Sequence, residues 1–143
     1  MTNKEARAFL HSIREQDEEL YRLLTEIAEL RTAVENCTAK MDKDGSQTSK
    51  GGDKLSNLMC KIIDLERKCE NLRISSNHKR RTVIEFAKEL TQDNDREYLL
   101  YRYVKCNGFY QTAMELDLSD ATARRIDRKV VSEFAKKSTS SAF

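Results

Sequence analysis

The sequence predicts an all-α protein, with an N-terminal antiparallel coiled-coil hairpin followed by a C-terminal helix-turn-helix. Three observations lead to this prediction. The 143 residues contain no proline, the residue that interrupts helices most strongly. Apolar residues recur at alternating spacings of three and four over residues 4–41 and again from residue 54, which is the spacing of a coiled coil. Three shorter helical patterns follow between residues 94 and 137.

The first long pattern carries nearly five heptads. One core position is occupied by Ile13, Leu20, Ile27, Val34 and Met41, and the other by Phe9, Gln16, Leu23, Leu30 and Cys37. β-Branched residues at one position and leucines at the other favour two strands if the pairing is parallel. Leu10 and Leu24 widen the apolar stripe beyond what one partner helix covers.

Residues 42–53 are rich in glycine and small polar residues, which predicts a flexible loop. The second long helix begins at Lys54. Its register continues to Leu90, but polar residues occupy two core positions near residues 75–81, so it is either one helix or two with a joint. Two long helices joined by a short loop should fold back on each other.

Two alignments of the hairpin are open. The first pairs Glu26 with Lys68 and Asp17 with Arg73; the second pairs Arg31 with Glu66 and Asp17 with Arg80. Exposed ion pairs are worth only about 0–1 kcal/mol each, so charge does not choose between them. Because the stripes are wider than a two-helix seam needs, we expect residues 1–91 to mediate a homodimer, as a four-helix bundle.

The three shorter patterns predict a helix-turn-helix domain over residues 92–137. The first helix spans about 96–106 and ends at Asn107-Gly108, since glycine tolerates the left-handed conformation that stops a helix. The second spans about 110–116, and Asp117-Leu118 form a tight turn. The third begins at Ser119, a good N-cap residue. The Ser/Thr-rich tail, residues 138–143, is predicted to be disordered.

The third helix is basic on its outer face, as expected of a helix that enters the major groove of double-stranded DNA. Arginines there contact phosphates or guanine edges. The alternative is an ordinary solvated face on a three-helix core. The predicted DNA-binding residues are Tyr110, Gln111, Ser119, Asp120, Ala121, Arg124, Arg125, Arg128 and Lys129.

This region resembles sigma-70 region 4, and more narrowly the small transcriptional regulators of phages that infect Gram-positive bacteria. The resemblance runs over Leu99, Leu100, Arg102, Tyr103, Phe109, Thr112, Ala113, Leu116, Asp117, Leu118, Ser119, Thr122, Ala123 and Ile126. Residues 5–10 and 61–66 also look like that family. The chain departs from the pattern at three positions: Thr112 replaces Ile, Asp117 replaces Gly and Ala123 replaces Val.

The resemblance implies a transcriptional regulator encoded by a phage or prophage and acting in the cytoplasm of a bacterial host. The alternative is a protein-interaction module that contacts RNA polymerase or another factor, with little direct DNA binding. A basic outer face on the last helix favours DNA, since a helix that docks on protein more often exposes apolar anchors.

A second basic segment lies near the middle of the chain. It carries Arg73, Lys79, Arg80 and Arg81. We interpret it as a second candidate for phosphate contact, with a solvated helical segment as the alternative. The net charge of the whole chain is only +2, so any affinity for DNA must come from such local clusters.

Other classes of function are not supported by the sequence. It contains no constellation of nucleophile and base, no phosphate-binding glycine loop and no paired carboxylates in an apolar setting, so no enzyme and no cofactor is predicted. The four cysteines form no C-x-x-C pair and no histidine lies near them, so no metal site is predicted. No apolar run reaches the length of a membrane span, and no signal peptide is recognised.

Overall fold

The computed structural model describes residues 1–44 and 49–140, and the side chains of these except residues 41–51 and 140. All the regular structure in these ranges is helical, which confirms the all-α prediction. The helices are α1 (Asn3–Asp44), α2 (Ser49–Ala87), α3 (Asp93–Leu99), which continues as a π-helical turn (Leu100–Val104), α4 (Phe109–Glu115) and α5 (Asp120–Ser140). None of these helices is long and apolar enough to cross a membrane.

The long helices extend further than the sequence predicts. Residues 42–44 belong to α1 and residues 49–53 to α2, so both enter the predicted loop; residues 45–48 lie outside the described residues. Glycine disfavours a helix by only about 1 kcal/mol per residue, so Gly51 and Gly52 do not prevent α2 from beginning at Ser49. The α2 helix is also continuous through the polar residues 75–81, which settles the question of a joint.

The predicted disordered tail is partly helical. The α5 helix continues to Ser140, and the hydroxyls of Ser138 and Thr139 donate hydrogen bonds to the carbonyl oxygens of Phe134 and Ala135 at 2.8 and 3.0 Å. Serine and threonine can satisfy their hydroxyls in this way inside a helix, so a Ser/Thr-rich composition does not exclude one. Residues 141–143 lie outside the described residues.

The chain divides into two compact units, one of Met1–Gln16 with Ser75–Phe143 and one of Asp17–Ile74. The sequence instead places its boundary between residues 91 and 92. The difference arises because the start of α1 and the end of α2 bury their apolar side chains with those of the C-terminal helices. One core cluster thus contains residues from all of these elements, among them Leu10, Ile13, Val83, Phe86, Tyr98, Tyr103, Val130 and Phe134.

Aromatic packing organises the core of the first unit. The ring of Phe134 on α5 is fully buried. It stacks on Phe9 of α1 with ring centroids 5.6 Å apart, and meets Phe86 of α2 edge-on at 5.2 Å. Such arrangements contribute roughly 0.5–1.5 kcal/mol per pair beyond the burial of area. One side chain of α5 therefore ties that helix to both long helices.

The Asp17–Ile74 unit has a smaller core. Its buried side chains are Leu23 and Ile27 of α1 with Ile62 and Cys69 of α2. Arg31 and Glu66 form an ion pair at 2.5 Å, which is the pair that the second of the two sequence alignments predicts. Both groups are largely exposed, so the pair marks the alignment of the helices and contributes little to stability.

The connection from α4 to α5 is a tight turn with a left-handed residue. Asp117 has φ 54°, the Leu118 N–H donates to the Ala113 carbonyl at 2.8 Å, and the Asp117 N–H donates to Met114 at 3.2 Å. This is the Schellman arrangement, which normally carries glycine at the left-handed position. Ser119 then caps α5, because its Oγ accepts a hydrogen bond from the Thr122 N–H at 3.2 Å.

The end of the preceding helix differs from the prediction. The left-handed residue is Cys106, with φ 60°, whereas Gly108 has φ −65° and forms the extended N-cap of α4. The π-helical turn widens the helix, and the Lys105 N–H consequently donates to Leu100, five residues back, at 2.9 Å. The guanidinium of Arg80 binds the Val104 carbonyl at 3.1 Å, so tertiary contacts hold this turn, and glycine is not what stops the helix.

We predict that Asp117→Gly raises the free energy of unfolding by about 0.5–1 kcal/mol, since glycine adopts the left-handed conformation without steric penalty. Asp117→Ala should not raise it, because alanine keeps the steric penalty of the left-handed conformation. Urea denaturation followed by circular dichroism measures both. Equal stability of the glycine and alanine variants would contradict a left-handed residue 117.

Candidate nucleic-acid interface

The α5 helix has one buried face and one exposed face. The buried residues recur every three or four positions: Ala123, Ile126, Val130, Val131, Phe134 and Ala135. This is the spacing of an amphipathic helix packed on a core. The rotation of α5 about its axis is therefore set by its apolar residues, and several of the residues between them face solvent.

The predicted arginines lie on the exposed face. Arg124, Arg125 and Arg128 are exposed, and Ala121 lies one turn before them. Within the described part of the chain, no carboxylate forms an ion pair with any of the three arginines. The guanidinium of Arg124 lies 5.8 Å from the centroid of the Phe109 ring, the first residue of α4. Three arginines in two turns of a capped helix thus remain available to an anionic partner.

Lys129 is placed differently from these arginines. Its Nζ lies 2.8 Å from Oδ2 of Asp95 on α3, and the Asp95 side chain is only 7 % exposed. The hydrogen bond to Asp95, together with its charge, raises the pKa of Lys129. Sequence reasoning placed Lys129 among the predicted DNA-binding residues. The structure shows that its charge is already balanced by a carboxylate of the same core.

The α4 helix contributes a mixed surface beside α5. Tyr110 and Gln111 are exposed, as a contact with a DNA backbone requires, and Met114 is 80 % exposed. Ser119 and Asp120 at the start of α5 are exposed as well. The face that holds the predicted DNA-binding residues therefore combines arginines on α5 with an aromatic, an amide and a thioether on α4.

The second basic segment does not form a single cluster. Arg73 belongs to the Asp17–Ile74 unit and pairs with Glu70 at 3.2 Å. Lys79 donates to the Ser12 hydroxyl at 2.8 Å. Arg80 donates to the Val104 carbonyl and, at 2.7 Å, to the hydroxyl of buried Ser76. Arg81 is exposed. Lys79 and Arg80 therefore form hydrogen bonds within the fold.

A buried polar cluster that sequence reasoning missed lies on the inner edge of α5. The Tyr103 and Tyr98 hydroxyls donate to Oδ1 of Asp127 at 2.5 and 3.0 Å, and the Arg7 guanidinium donates to Oδ2 at 2.7 Å. The Asp127 side chain is only 13 % exposed. The one sequence signal was an acidic residue among the basic residues 124–129. Its partners are up to 120 residues away, so no spacing rule identifies them.

The environment of this cluster shifts the pKa of its members. Burial, followed by the charge of Asp127, raises the pKa of both tyrosine hydroxyls well above 10. The ring of His11 packs edge-on against Tyr103 with centroids 5.6 Å apart. Burial, and then the positive charges of Arg102 and Arg7, lower the pKa of His11. At neutral pH the tyrosines are therefore neutral donors to the Asp127 carboxylate.

No cluster of three or more histidine, cysteine or acidic side chains in the described ranges is arranged to hold a metal ion. Comparison with known proteins adds no family: no protein-family model, no curated protein and no solved structure matches this chain. The arrangement of its own residues therefore carries the functional argument.

We predict that raised tyrosine pKa values make stability fall in alkali. In the unfolded chain both tyrosines ionise near pH 10, whereas the folded protein keeps them protonated at higher pH. This contribution is complete below about pH 10 and is lost above it, at up to about 1.4 kcal/mol per pH unit for each tyrosine. Urea denaturation between about pH 9 and 11 measures the slope.

The matched control is the double variant Tyr98→Phe, Tyr103→Phe. It keeps both rings in the core but removes the two titrating hydroxyls, so its stability should depend less steeply on pH in the same range. Its absolute stability should also be lower at neutral pH, since Asp127 loses two donors. The same alkaline slope in both proteins would show that these hydroxyls are not the responsible groups.

Proposed function

We propose that the chain is a sequence-specific DNA-binding transcriptional regulator. In this proposal α4, the turn at residues 116–119 and α5 form a helix-turn-helix, and α5 enters the major groove of double-stranded DNA. The observation that carries the proposal is the exposed face of α5, where Arg124, Arg125 and Arg128 follow the Ser119 cap without any ion-pair partner in the described chain.

The local geometry supports a helix-turn-helix. Ala113 and Thr112 of α4 are buried, and Leu118 in the turn packs against the same core as Ala123 and Ile126 of α5. The small side chain of Ala113 allows the two helices to approach closely. Such a pair presents the first turns of its second helix outward, which is where base contacts are made in proteins of this class.

The resemblance to phage regulators with a sigma-70 region 4-like domain agrees with this proposal. The left-handed Asp117 occupies the position where that family carries glycine, so this chain keeps the turn conformation despite the substitution. In the same proposal the long helices α1 and α2 form an antiparallel coiled-coil hairpin that mediates a homodimer, and the protein acts in the cytoplasm of a bacterial host.

A second candidate function is contact with RNA polymerase or another protein factor, with DNA contact secondary. The exposed Tyr110 and Met114 favour it, at 64 % and 80 % exposure, one turn apart on α4. Aromatic and methionine side chains are enriched in the cores of protein interfaces. This candidate requires an apolar surface on α4, whereas the first requires the arginines of α5.

We predict that changing Arg124, Arg125 and Arg128 together to alanine abolishes specific binding to duplex DNA. Among single variants, Arg124→Ala or Arg125→Ala should weaken the cognate complex by about 1–3 kcal/mol and erode discrimination, because they lie where base edges are met. Arg128→Ala should weaken all duplexes alike and reduce the salt slope by about one unit. Fluorescence anisotropy with cognate and scrambled duplexes at two salt concentrations measures this.

A charge-matched control separates contact from net charge. Changing the exposed α2 residues Lys54, Lys61 and Arg67 to alanine removes the same three positive charges elsewhere and should leave the cognate affinity nearly unchanged. If the α5 triple variant binds duplex DNA as well as the parent protein, α5 is not a DNA-binding helix. The variant Tyr110→Ala, Met114→Ala then tests the protein-interaction alternative by pull-down with RNA polymerase.

We predict that Asp95→Asn tightens DNA binding by several-fold and steepens its salt dependence. The substitution keeps the shape of the side chain but removes the negative charge that balances Lys129, so one further positive charge acts on phosphates. Lys129→Ala should correspondingly change affinity less than Arg128→Ala does. An unchanged salt slope for Asp95→Asn would indicate that Lys129 does not lie near the DNA.

A further inference from the structure

Large apolar side chains remain exposed in the Asp17–Ile74 unit. Tyr21 and Leu24 of α1 are 75 % and 44 % exposed, and Met59 and Ile63 of α2 are 44 % and 50 % exposed. Single exposed apolar residues are normal on protein surfaces, whereas a contiguous set marks an interface. The question is therefore whether these four side chains share one side of the helix pair.

Their positions follow the core positions by one residue. The core of the unit uses Leu20, Leu23, Ile27, Leu30 and Val34 on α1, and Ile62, Leu65, Cys69 and Leu72 on α2. The next residues form what we call the second seam: Tyr21, Leu24, Ala28, Arg31 and Glu35 on α1, with Ile63, Glu66, Glu70 and Arg73 on α2. Met59, which follows Leu58 one turn before Ile63, extends the seam on α2. The second seam keeps the alternating spacing of three and four on both helices.

Contacts show that both halves of the second seam lie on the same side. Arg31 of α1 pairs with Glu66 of α2 across it. A groove of about 290 Å³ is lined there by Leu24, Ala28 and Arg31 from one helix and by Glu66, Glu70 and Arg73 from the other. Ile63 and Met59 precede Glu66 by three and seven residues, which places them on the same face of α2.

The other side of the same helix pair is polar. The residues that precede the core positions are Glu19, Arg22, Glu26, Glu29 and Ala33 on α1, and Lys61, Asp64, Lys68 and Asn71 on α2. Five of the ten residues of the second seam are apolar, against one of the nine on this side, and a helix pair surrounded by water has no reason for such a difference. The asymmetry indicates that a partner covers the second seam alone.

We propose that the second seam is the homodimer interface, on which a second copy of this chain lays its own second seam to form a four-helix bundle. Charge selects this occupant. The seam carries two arginines, Arg31 and Arg73, and three glutamates, Glu35, Glu66 and Glu70, so it presents charges of both signs with a net charge of −1. A two-fold interface must complement itself, which such a surface does. A nucleic acid or anionic membrane would require a predominantly basic face.

This inference rests on the homodimer of the proposed function and specifies its surface. Each seam residue occurs twice in a two-fold dimer, so a substitution changes the free energy of dimerisation through two copies of the residue. Burial of two leucine-sized side chains per copy contributes favourably to the free energy of dimerisation. Leu24→Gln with Ile63→Gln should therefore raise the dissociation constant of the dimer by at least about 100-fold. Glutamine is a good helix former, and both sites are exposed in the single chain, so the helices should persist.

The experiment is analytical ultracentrifugation of the full chain over a range of concentrations. The proteins compared are the parent, Leu24→Gln with Ile63→Gln, and the opposite-side control Glu29→Gln with Asp64→Asn. We expect a dimeric parent, a dimeric control and a monomeric seam variant, each with the same helical circular dichroism spectrum. If the seam variant loses its helical spectrum, Tyr21→Gln with Met59→Gln replaces it, with the same expectation.

The outcomes test three claims separately: that the second seam is the interface, that the protein is a homodimer, and that α5 binds DNA. If the parent protein and the seam variant are both dimers, the second seam is not the interface, and the homodimer forms through another face. A monomeric parent overturns both. Anisotropy with a single half-site duplex, measured on the same samples, tests the arginines of α5 independently, because a monomer of the proposed regulator still contacts one half-site.

Discussion

The structure of the first unit depends on how α5 packs against the core and on which face of the helix is buried. Its apolar residues must face the core, and the Phe134 ring packs on Phe9 and Phe86 from both long helices. Asp127 adds a second, directional constraint at the edge of this face, because its carboxylate accepts hydrogen bonds from two tyrosines and an arginine. Apolar burial sets the rotation of α5 broadly, and the geometry of these hydrogen bonds narrows it.

The exposure of the arginines on α5 is a consequence of this packing. Once Ala123, Ile126 and Val130 are buried, Arg124, Arg125 and Arg128 have no direction left except solvent. Two acidic residues, Asp127 of α5 and Asp95 of α3, pair with other basic residues. Asp127 forms an ion pair with Arg7, and Asp95 forms one with Lys129. Neither of these two carboxylates pairs with Arg124, Arg125 or Arg128 of the proposed DNA-binding face.

The long helices serve two different cores. Residues at the start of α1 and the end of α2 belong to the aromatic core, while Leu23, Ile27, Ile62 and Cys69 form a separate and smaller one. A small core of this kind gains stability if a second copy covers the second seam. Association and folding of that unit would then be linked, as is usual for coiled-coil dimers, and its stability would depend on protein concentration.

Much of the local structure was predictable from the sequence. The absence of proline and the heptad spacing led to helices, Ser119 to a cap, and the basic residues of α5 to an outward face, because each of these properties depends on neighbours within one or two helical turns. The turn at Asp117 was also predictable, since aspartate tolerates the left-handed conformation better than most residues. Composition was a weaker guide, because it placed residues 42–44, 49–53 and 138–140 in a loop and a tail, whereas all of them are helical.

Tertiary structure alone decided the roles of individual charged residues and the division into units. Arg80 and Lys129 have the same basic character in the sequence as Arg124, yet one holds the end of a π-helical turn and the other balances a buried carboxylate. Arg7 and Asp127 meet across 120 residues of chain. Periodicity records which face of a helix is buried, but it does not record which distant side chains meet there, because those contacts depend on how separate helices pack.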